Sequence, residues 1–278
     1  MPQESLQLRT TFILGFFVLI CVFVFFLIEQ VKNTTTLVFC DVGQGDAAYI
    51  RIENKVDVLI DAGPNNKVLS CLGKHMPFYD REIEFAFLSH PQKDHYGGFS
   101  LILDRYKIQT FVASYIKSNS KGFHDLLEKL KQKNTNVLFW YAKSKIIFSK
   151  RSSASLIWPT SSYISNTNVK DPNIYSQIIF FSLGDHLILF TGDTTPLPQS
   201  YFIDDLYPVN ILKVPHHGSK NGLSKKILLK VRPEIAVISS GKNNNYGHPS
   251  KEIVQMLQNE KVTIKRTDQE GDVVFTFD

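Results

Sequence analysis

At 278 residues the chain can build one large hydrophobic core but not several large domains. Hydrophobic residues make up 43% and charged residues 21%, a balance that excludes a disordered polyelectrolyte. The net charge of +5 leans mildly towards a polyanionic partner or an anionic lipid surface and does not choose between them.

The first element is apolar. Thr10 to Ile28 carries no charge and reads TTFILGFFVLICVFVFFLI. Nineteen helical residues reach about 28 Å, close to the bilayer hydrocarbon thickness. A cleaved signal peptide would have a shorter apolar run and a small-x-small cleavage site, which the flank Glu29-Gln30-Val31-Lys32 does not offer. A buried core helix would be striped rather than apolar all round. The expectation is an uncleaved single-span transmembrane anchor over 10–28. Arg9 on one side and Lys32 on the other barely discriminate its orientation. A short N-terminal tail that stays inside would place the body outside the cytoplasm.

After the polar linker KNTTT (Lys32–Thr36), strand-like runs follow at Leu37–Val42, Ala47–Ile52, Val56–Ile60 and Glu84–Leu88, each bounded by Gly, Asn, Asp or Pro. Further runs lie at Gln109–Ala113, Ser155–Trp158, Gln177–Leu183, His186–Phe190, Ile211–Val214, Ile235–Ser239 and Val273–Phe277. Several are continuously apolar, the pattern of strands covered on both faces. Helical periodicity appears over His124–Lys133, Leu223–Val231 and Ser250–Gln258. Together these predict one α/β domain over 35–278, with layered sheets and helices outside. Of three cysteines, Cys21 falls in the apolar segment, and Cys40 and Cys71 show no paired spacing. The expectation is neither a disulfide scaffold nor a cysteine zinc cluster, with Cys40 a small buried strand residue.

The chemistry-bearing residues gather at strand ends, where a rigid sheet presents reactive groups. His90, Asp94 and His95 lie in SHPQKDHYGG after the strand EFAFL, and Asp193 lies in TGDTTP after HLILF. His216 and His217 lie in PHHGS after ILKV, and His248 in NNNYGHPS. Taken singly, Asp193 reads as a turn residue, the His pair as a surface turn and His248 as a hydrogen-bonder at a helix entry. Four strand ends that each deliver His or Asp beside Gly read differently: imidazole plus carboxylate is a ligand mix for zinc or manganese. His75, His124 and His186 lack such neighbours and read as structural or surface residues.

In order, DVGQGDA (Asp41–Ala47), DVLIDAG (Asp57–Gly63), LSHPQKDHYGG (Leu88–Gly98), DPNIYS (Asp171–Ser176), LFTGD (Leu189–Asp193), LKVPHHGS (Leu212–Ser219) and YGHP (Tyr246–Pro249) resemble the ComEC branch of the metallo-β-lactamase superfamily. The resemblance covers nearly all of the body. It implies an αββα sandwich of two mixed sheets with a metal site in the cleft at their edge. It also implies one or two divalent ions, zinc or manganese. His90 matches the first His of the HxHxDH loop, Asp94 and His95 its closing pair, and Asp193 the bridging carboxylate. The later ligand matches either His216 or His217; with His216 as the ligand, His217 is left to orient substrate or a bound water. Gln92 stands where the second His would be, and Ser176, in the branch's N-x-x-S version, where the middle His would be. Asp41, Gln44, Asp46 and Asp61 look like residues that brace the ligand loops.

The function this resemblance implies is a membrane-anchored metal-dependent hydrolase, with phosphodiesters the first-choice substrate and DNA the candidate partner. Asp94, His217 and His248 are the candidate catalytic groups. Lys213, Lys220, Lys225 and Lys226 surround the HHGS loop and could meet a nucleic-acid backbone, although a solvated helix face explains them equally well. A lactonase, a phosphorylcholine-type esterase and a non-catalytic metal-stabilised DNA-binding module are the alternatives. The chain lacks the many-helix membrane channel of full-length ComEC proteins.

Overall fold

The computed structural model describes residues 11–24, 33–114, 118–167 and 170–278. Residues 11–24 form helix α1, fourteen residues or about 21 Å long. The expected span over 10–28 is therefore described only in part, because Thr10 and residues 25–28 lie outside the described residues. Among the described residues no helix is long and apolar enough to cross a membrane.

Among the described residues two seven-stranded sheets make the body. In the first, β1 (Thr35–Phe39), β2 (Ala48–Ile52) and β3 (Val56–Ile60) are antiparallel, and β4 (Glu82–Leu88), β5 (Lys107–Ala113) and β6 (Asn136–Phe139) continue parallel to β3. In the second, β7 (Lys145–Ile147), β8 (Ser152–Trp158), β9 (Ile178–Leu183) and β10 (His186–Phe190) are antiparallel, and β11 (Ile211–Lys213), β12 (Ile235–Ile238) and β13 (Thr263–Arg266) run parallel to β10. The last strand, β14 (Val273–Phe277), returns to pair antiparallel with β1.

The continuous apolar runs follow from this layering. On β1, Leu37 and Phe39 enter the core between the sheets, against Ile50, Phe87, Phe181 and Phe190. Val38 and Cys40 point the other way, into a second core beneath α2 (Lys67–His75) and α5 (Lys121–Gln132). A third core seals the far face of the second sheet beneath α7 (Pro196–Phe202), α8 (Lys225–Val231) and α9 (Lys251–Asn259). Helix, sheet, sheet, helix is the predicted αββα order. The parallel halves place the C-terminal ends of β3, β4, β10, β11 and β12 along one edge, where open sheets present ligand-binding loops.

Three strands and one long helix carried little sequence signal. The strands β6, β7 and β13 are exposed or half exposed, and their apolar stretches are short, no longer than VLF within β6 and II within β7. Helix α2 starts without a side-chain cap and holds Gly73 and Cys71 in its apolar stretch.

The cysteine expectation is corrected. Cys40 is a buried strand-end residue, but it is disulfide-bonded to Cys71, with Cα atoms 5.8 Å apart. The bond ties α2 to the end of β1. The pairing depends on how a helix lies across a sheet, which spacing in the sequence does not show. Closing a 31-residue loop restricts the unfolded chain, so Cys71→Ser should cost about 2–4 kcal/mol. Urea unfolding should show the loss as a lower midpoint with a steeper slope than the oxidised protein, because the unlinked unfolded chain exposes more surface. An unmoved midpoint would mean the bond does not form in solution.

Candidate metal centre

All the sequence-predicted ligand loops converge on that edge. His90 lies just past β4, Asp193 just past β10, and His216 and His217 just past β11; Asp94 and His95 sit on the short helix α3 (Lys93–Tyr96). Glycine makes this approach possible: a Cβ on Gly98 would lie 2.1 Å from the carbonyl oxygen of Ala62. The HHG turn is wound tightly, with φ of 52° at His216 and 54° at His217, the left-handed region that ordinary residues avoid. Its amides hold it there, as His216 N donates to the carbonyl of Gly192 and Ser219 N to that of His216. Such strain, on the order of 1–3 kcal/mol per residue, gathers where a site requires it.

Donor atoms of Asp94, His95, Asp193 and His217 lie within 4.8 Å of one another. Three of the four residues are fully buried, and Asp94 opens to the cleft. Hydrogen bonding fixes which ring nitrogens face the group. His95 Nδ1 donates to Asp61 Oδ2 at 2.8 Å, so its Nε2 faces Asp193 Oδ1 at 3.3 Å. His217 Nδ1 donates to the carbonyl of Ser239 at 3.1 Å. Its Nε2 therefore faces Asp94 Oδ2 at 3.3 Å and Asp193 Oδ2 at 3.4 Å. Ser89 Oγ donates to Asp61, which makes it the acceptor for His90 Nδ1 and leaves the lone pair on His90 Nε2.

The result is an inward-facing set of acceptors. His90 Nε2, His95 Nε2 and both Asp193 oxygens are buried without a hydrogen-bond partner. Buried carboxylates need a compensating positive charge. Protons on the rings are one source. Burial opposes them, yet the carboxylates of Asp193 and Asp61 hold the His95 pKa well above its ordinary value. Asp193 and Asp46 do the same for His217. Burial would raise the Asp193 pKa, but His217 and His95 outweigh it and hold it well below the usual carboxylate range. A divalent cation is the other source, and the two-imidazole, two-carboxylate donor set suits zinc or manganese. The residues fit a metal.

The structure divides the remaining predicted residues. His216, expected among the ligands, has its Nε2 3.8 Å from Asp193 Oδ2 and lies outside the four-residue group; His217 stands inside it. His248 is half-buried, with its ring centroid 5.8 Å from that of His216 and 6.4 Å from that of His217. Burial and the neighbouring His217 and His216 lower its pKa. His90 packs against His95 with ring centroids 4.1 Å apart. In place of the missing middle imidazole, Ser176 Oγ accepts the amide of Asp193.

The bracing residues have specific partners. Asp61 accepts Ser89 N and Oγ as well as His95. Gln44 Oε1 accepts Gly241 N, and Asp41 Oδ1 accepts Gly43 N. Asp46 Oδ1 lies 3.2 Å from His217 Nδ1, and Asp46 Oδ2 lies 2.8 Å from Lys213 Nζ. That pair corrects the expectation of a basic surface cluster at this lysine. Lys213 is 3% exposed and neutralises Asp46, whereas Lys220, Lys225 and Lys226 are exposed.

Sequence reasoning missed Ser89, whose hydroxyl links Asp61 to both imidazoles of its loop; its position directly before His90 was the available signal. It also missed Asp272, which accepts Asp41 N and pairs with Lys74 and His75 of α2. Cys71, His75 and Asp272 also cluster, but the sulfur there is committed to the disulfide. His75 thus has a structural partner, His124 bonds the carbonyl of Ser118, and His186 packs on Phe277.

Comparison with known proteins agrees with this geometry. The chain is 24% identical over 302 aligned positions to ComE operon protein 3 of Bacillus subtilis (strain 168), covering 100% of this chain and 37% of that protein. It is 28% identical over 265 positions to Recombination protein 2 of Haemophilus influenzae, covering 94% and 31%. The chain thus spans about a third of the length of these curated relatives. Among solved structures, Igni18, a metallo hydrolase from Ignicoccus hospitalis, superposes with a TM-score of 0.59 at 17% identity, over 88% of this chain and 100% of that one. Residues 40–242, which hold all four members of the buried donor group, match the metallo-beta-lactamase superfamily model, and the chain belongs to that superfamily as a metal-dependent hydrolase.

Proposed function

We propose that the chain is a metal-dependent phosphodiesterase acting on DNA, held at a membrane by its N-terminal segment with the hydrolase body in an oxidising, extracytoplasmic compartment. The observation that carries the hydrolytic reading is the group of Asp94, His95, Asp193 and His217, in which His95 Nε2 and both Asp193 oxygens are buried without a hydrogen-bond partner. Zinc or manganese held there supplies Lewis acidity towards water and a phosphoryl oxygen. Asp94 lies at the mouth of the group with its pKa lowered: burial opposes this, and His217 and His95 outweigh burial. It is the carboxylate placed to orient the attacking water and take its proton. His216 and His248 flank the opening, where they can donate hydrogen bonds to phosphoryl oxygens as charge develops.

A polyanionic substrate suits the rim, where Lys67 and Lys93 line the same cleft as Asp94, His217 and His248. The relatives' names, one of them a recombination protein, favour DNA among phosphodiesters. The described part of α1 is apolar and exposed on every face, with Phe12, Leu14, Phe16 and Leu19 each more than 60% exposed, and such a surface needs an apolar environment. The Cys40–Cys71 disulfide favours an oxidising compartment for the body. The test is to incubate the purified full chain, in detergent, with single- and double-stranded DNA and with manganese, zinc or magnesium. Metal-dependent release of nucleotides is expected. Turnover of a lactone or a phosphorylcholine ester, with DNA left intact, would replace the substrate.

Gln92 caps α3 and lines the cleft beside Asp94, two residues from the unpartnered Nε2 of His90. An amide oxygen is a weaker zinc ligand than imidazole. Gln92→His should therefore tighten zinc beside His90 by about tenfold, ~1.4 kcal/mol. The gain stops short of a three-histidine site because Ser176 supplies a hydroxyl already bonded to the Asp193 amide. Metal analysis after dialysis should show stoichiometry moving from nearer one ion towards two. Two tightly held ions in the unaltered protein, unchanged by the substitution, would remove Gln92 from the metal position.

A further inference from the structure

The cleft has a volume of about 770 Å³. Its lining brings together Lys67 and Lys93, both exposed, with Gln92, Asp94, His216 and His217, and with His248 and Tyr246. Tyr246 is 71% exposed at the rim of this polar cleft. One face of it is covered by His248, at a centroid distance of 5.8 Å and an interplanar angle of 25°. The other face is left open.

The loop does not hold this ring out by chance of mobility. Asn244 Oδ1 accepts the amides of both Tyr246 and His248, at 3.1 and 3.0 Å. Asn244 Nδ2 donates to the carbonyls of Gly241 and His248. Gly241 N in turn donates to Gln44 Oε1 in the glycine-rich turn that follows β1. One asparagine thus anchors the backbone of both Tyr246 and the candidate catalytic His248, and Gly241 ties the same loop to the Gln44 turn.

We infer that Tyr246 is a base-stacking platform that makes the site select unpaired nucleotides of a polynucleotide strand; this rests on the phosphodiesterase reading above. A planar aromatic face beside a metal centre and two lysines matches how single strands are held, with phosphates on cations and bases on rings. Bases inside a duplex are stacked on each other and offer no face to Tyr246 unless flipped out. A cleft of this volume lies within the range of small-ligand sites, about 300–1,000 Å³, and accepts a nucleotide or two rather than a duplex. Stacking reads the base face and not the sugar, so deoxyribose and ribose strands are told apart only by experiment.

The test is equilibrium binding of the full chain in detergent, with metal chelated, read by fluorescence anisotropy. The probes are labelled twelve-residue oligothymidylate, oligouridylate and a hairpin duplex closed by a non-nucleotide linker, which has no unpaired base. The unaltered protein should bind the better single strand about tenfold or more tightly than the hairpin. Tyr246→Ala should weaken single-strand binding by about tenfold, within the range that one stacked base contributes. Tyr246→Trp should restore it, which a merely structural role for the loop would not give. Equal affinity for hairpin and single strand, or undiminished single-strand binding in Tyr246→Ala, overturns the inference. Hydrolysis of bis(p-nitrophenyl) phosphate by the unaltered protein with manganese reports separately on the phosphodiesterase reading. If hydrolysis persists without strand preference, only the stacking role fails; if strand preference persists without hydrolysis, only the enzymatic reading fails.

Discussion

Asp193→Ala should abolish hydrolysis and most metal binding while the protein stays folded. Asp193 is the one residue whose two oxygens reach both imidazoles of the buried group, His95 at 3.3 Å and His217 at 3.4 Å, and it makes no hydrogen bond through either. Removing it takes away the carboxylate that joins the two sides of the site. The expected loss in kcat/KM is a thousandfold or more, about 4 kcal/mol of barrier. Stability should change little, because the cost of burying the carboxylate offsets much of what its pairing with the His95 and His217 imidazoles contributes. His95 and His217, no longer beside that charge, would simply lose the proton it favours. Circular dichroism and thermal unfolding should therefore match the unaltered protein, while retained metal falls after dialysis. His124→Ala is the control, since His124 is exposed and remote from the cleft. A folded Asp193→Ala protein with full activity and full metal content would sink the site assignment.

Lys213→Met, in contrast, should strike the fold. Lys213 Nζ pairs with Asp46 Oδ2 at 2.8 Å, and both side chains are at most 7% exposed. Burial pushes the Asp46 pKa up, and Lys213 and His217 more than reverse it, so the carboxylate is charged at neutral pH. A carboxylate whose pKa is lowered in the folded state contributes stability above its unfolded value of about 3.9, lost as pH falls through the folded value. At pH 7 the whole contribution is present. Deleting the lysine leaves a buried, poorly compensated charge, at a cost of about 3–5 kcal/mol. In a chain of this size that lowers Tm by on the order of 10 °C. Lys213→Met with Asp46→Asn should be less destabilised than Lys213→Met alone, because the stranded charge is then gone. Equal stability of the single variant and the unaltered protein at pH 7 would show that the pair is open to water.

Much of the fold was readable because its strands are covered on both faces. Phe39 and Val38 point into different cores, and both must be apolar, so the run LVF announces itself. The edge strands β6, β7 and β13 lack that constraint, and their apolar runs are too short to stand out. The site was readable to the extent that Asp193 and His217 adjoin Gly just past such runs, and that Asp94 and His95 shortly precede Gly97 in the loop after β4. Within PHHGS, however, spacing could not choose between the two histidines. The left-handed turn sends His217 inward to Asp94 and Asp193 and leaves His216 a quarter exposed at the rim.

The sequence by itself determined the layered α/β architecture, the loops that carry the chemistry and the mix of donors, because these depend on local apolar patterning and residue type. Which partner each polar group takes depends on the approach of segments far apart in the chain, and only the tertiary structure decided it. Lys213 read as one of four surface cations, and only the packing of β11 against the loop of Asp46 made it a buried counter-ion. Cys40 and Cys71 became a pair because α2 crosses the end of β1, a matter of helix position that no spacing encodes. Tyr246 read as part of a YGHP motif, and only the fold brought its exposed ring, on the Asn244-bound loop, into the same cleft as Lys67 and Lys93.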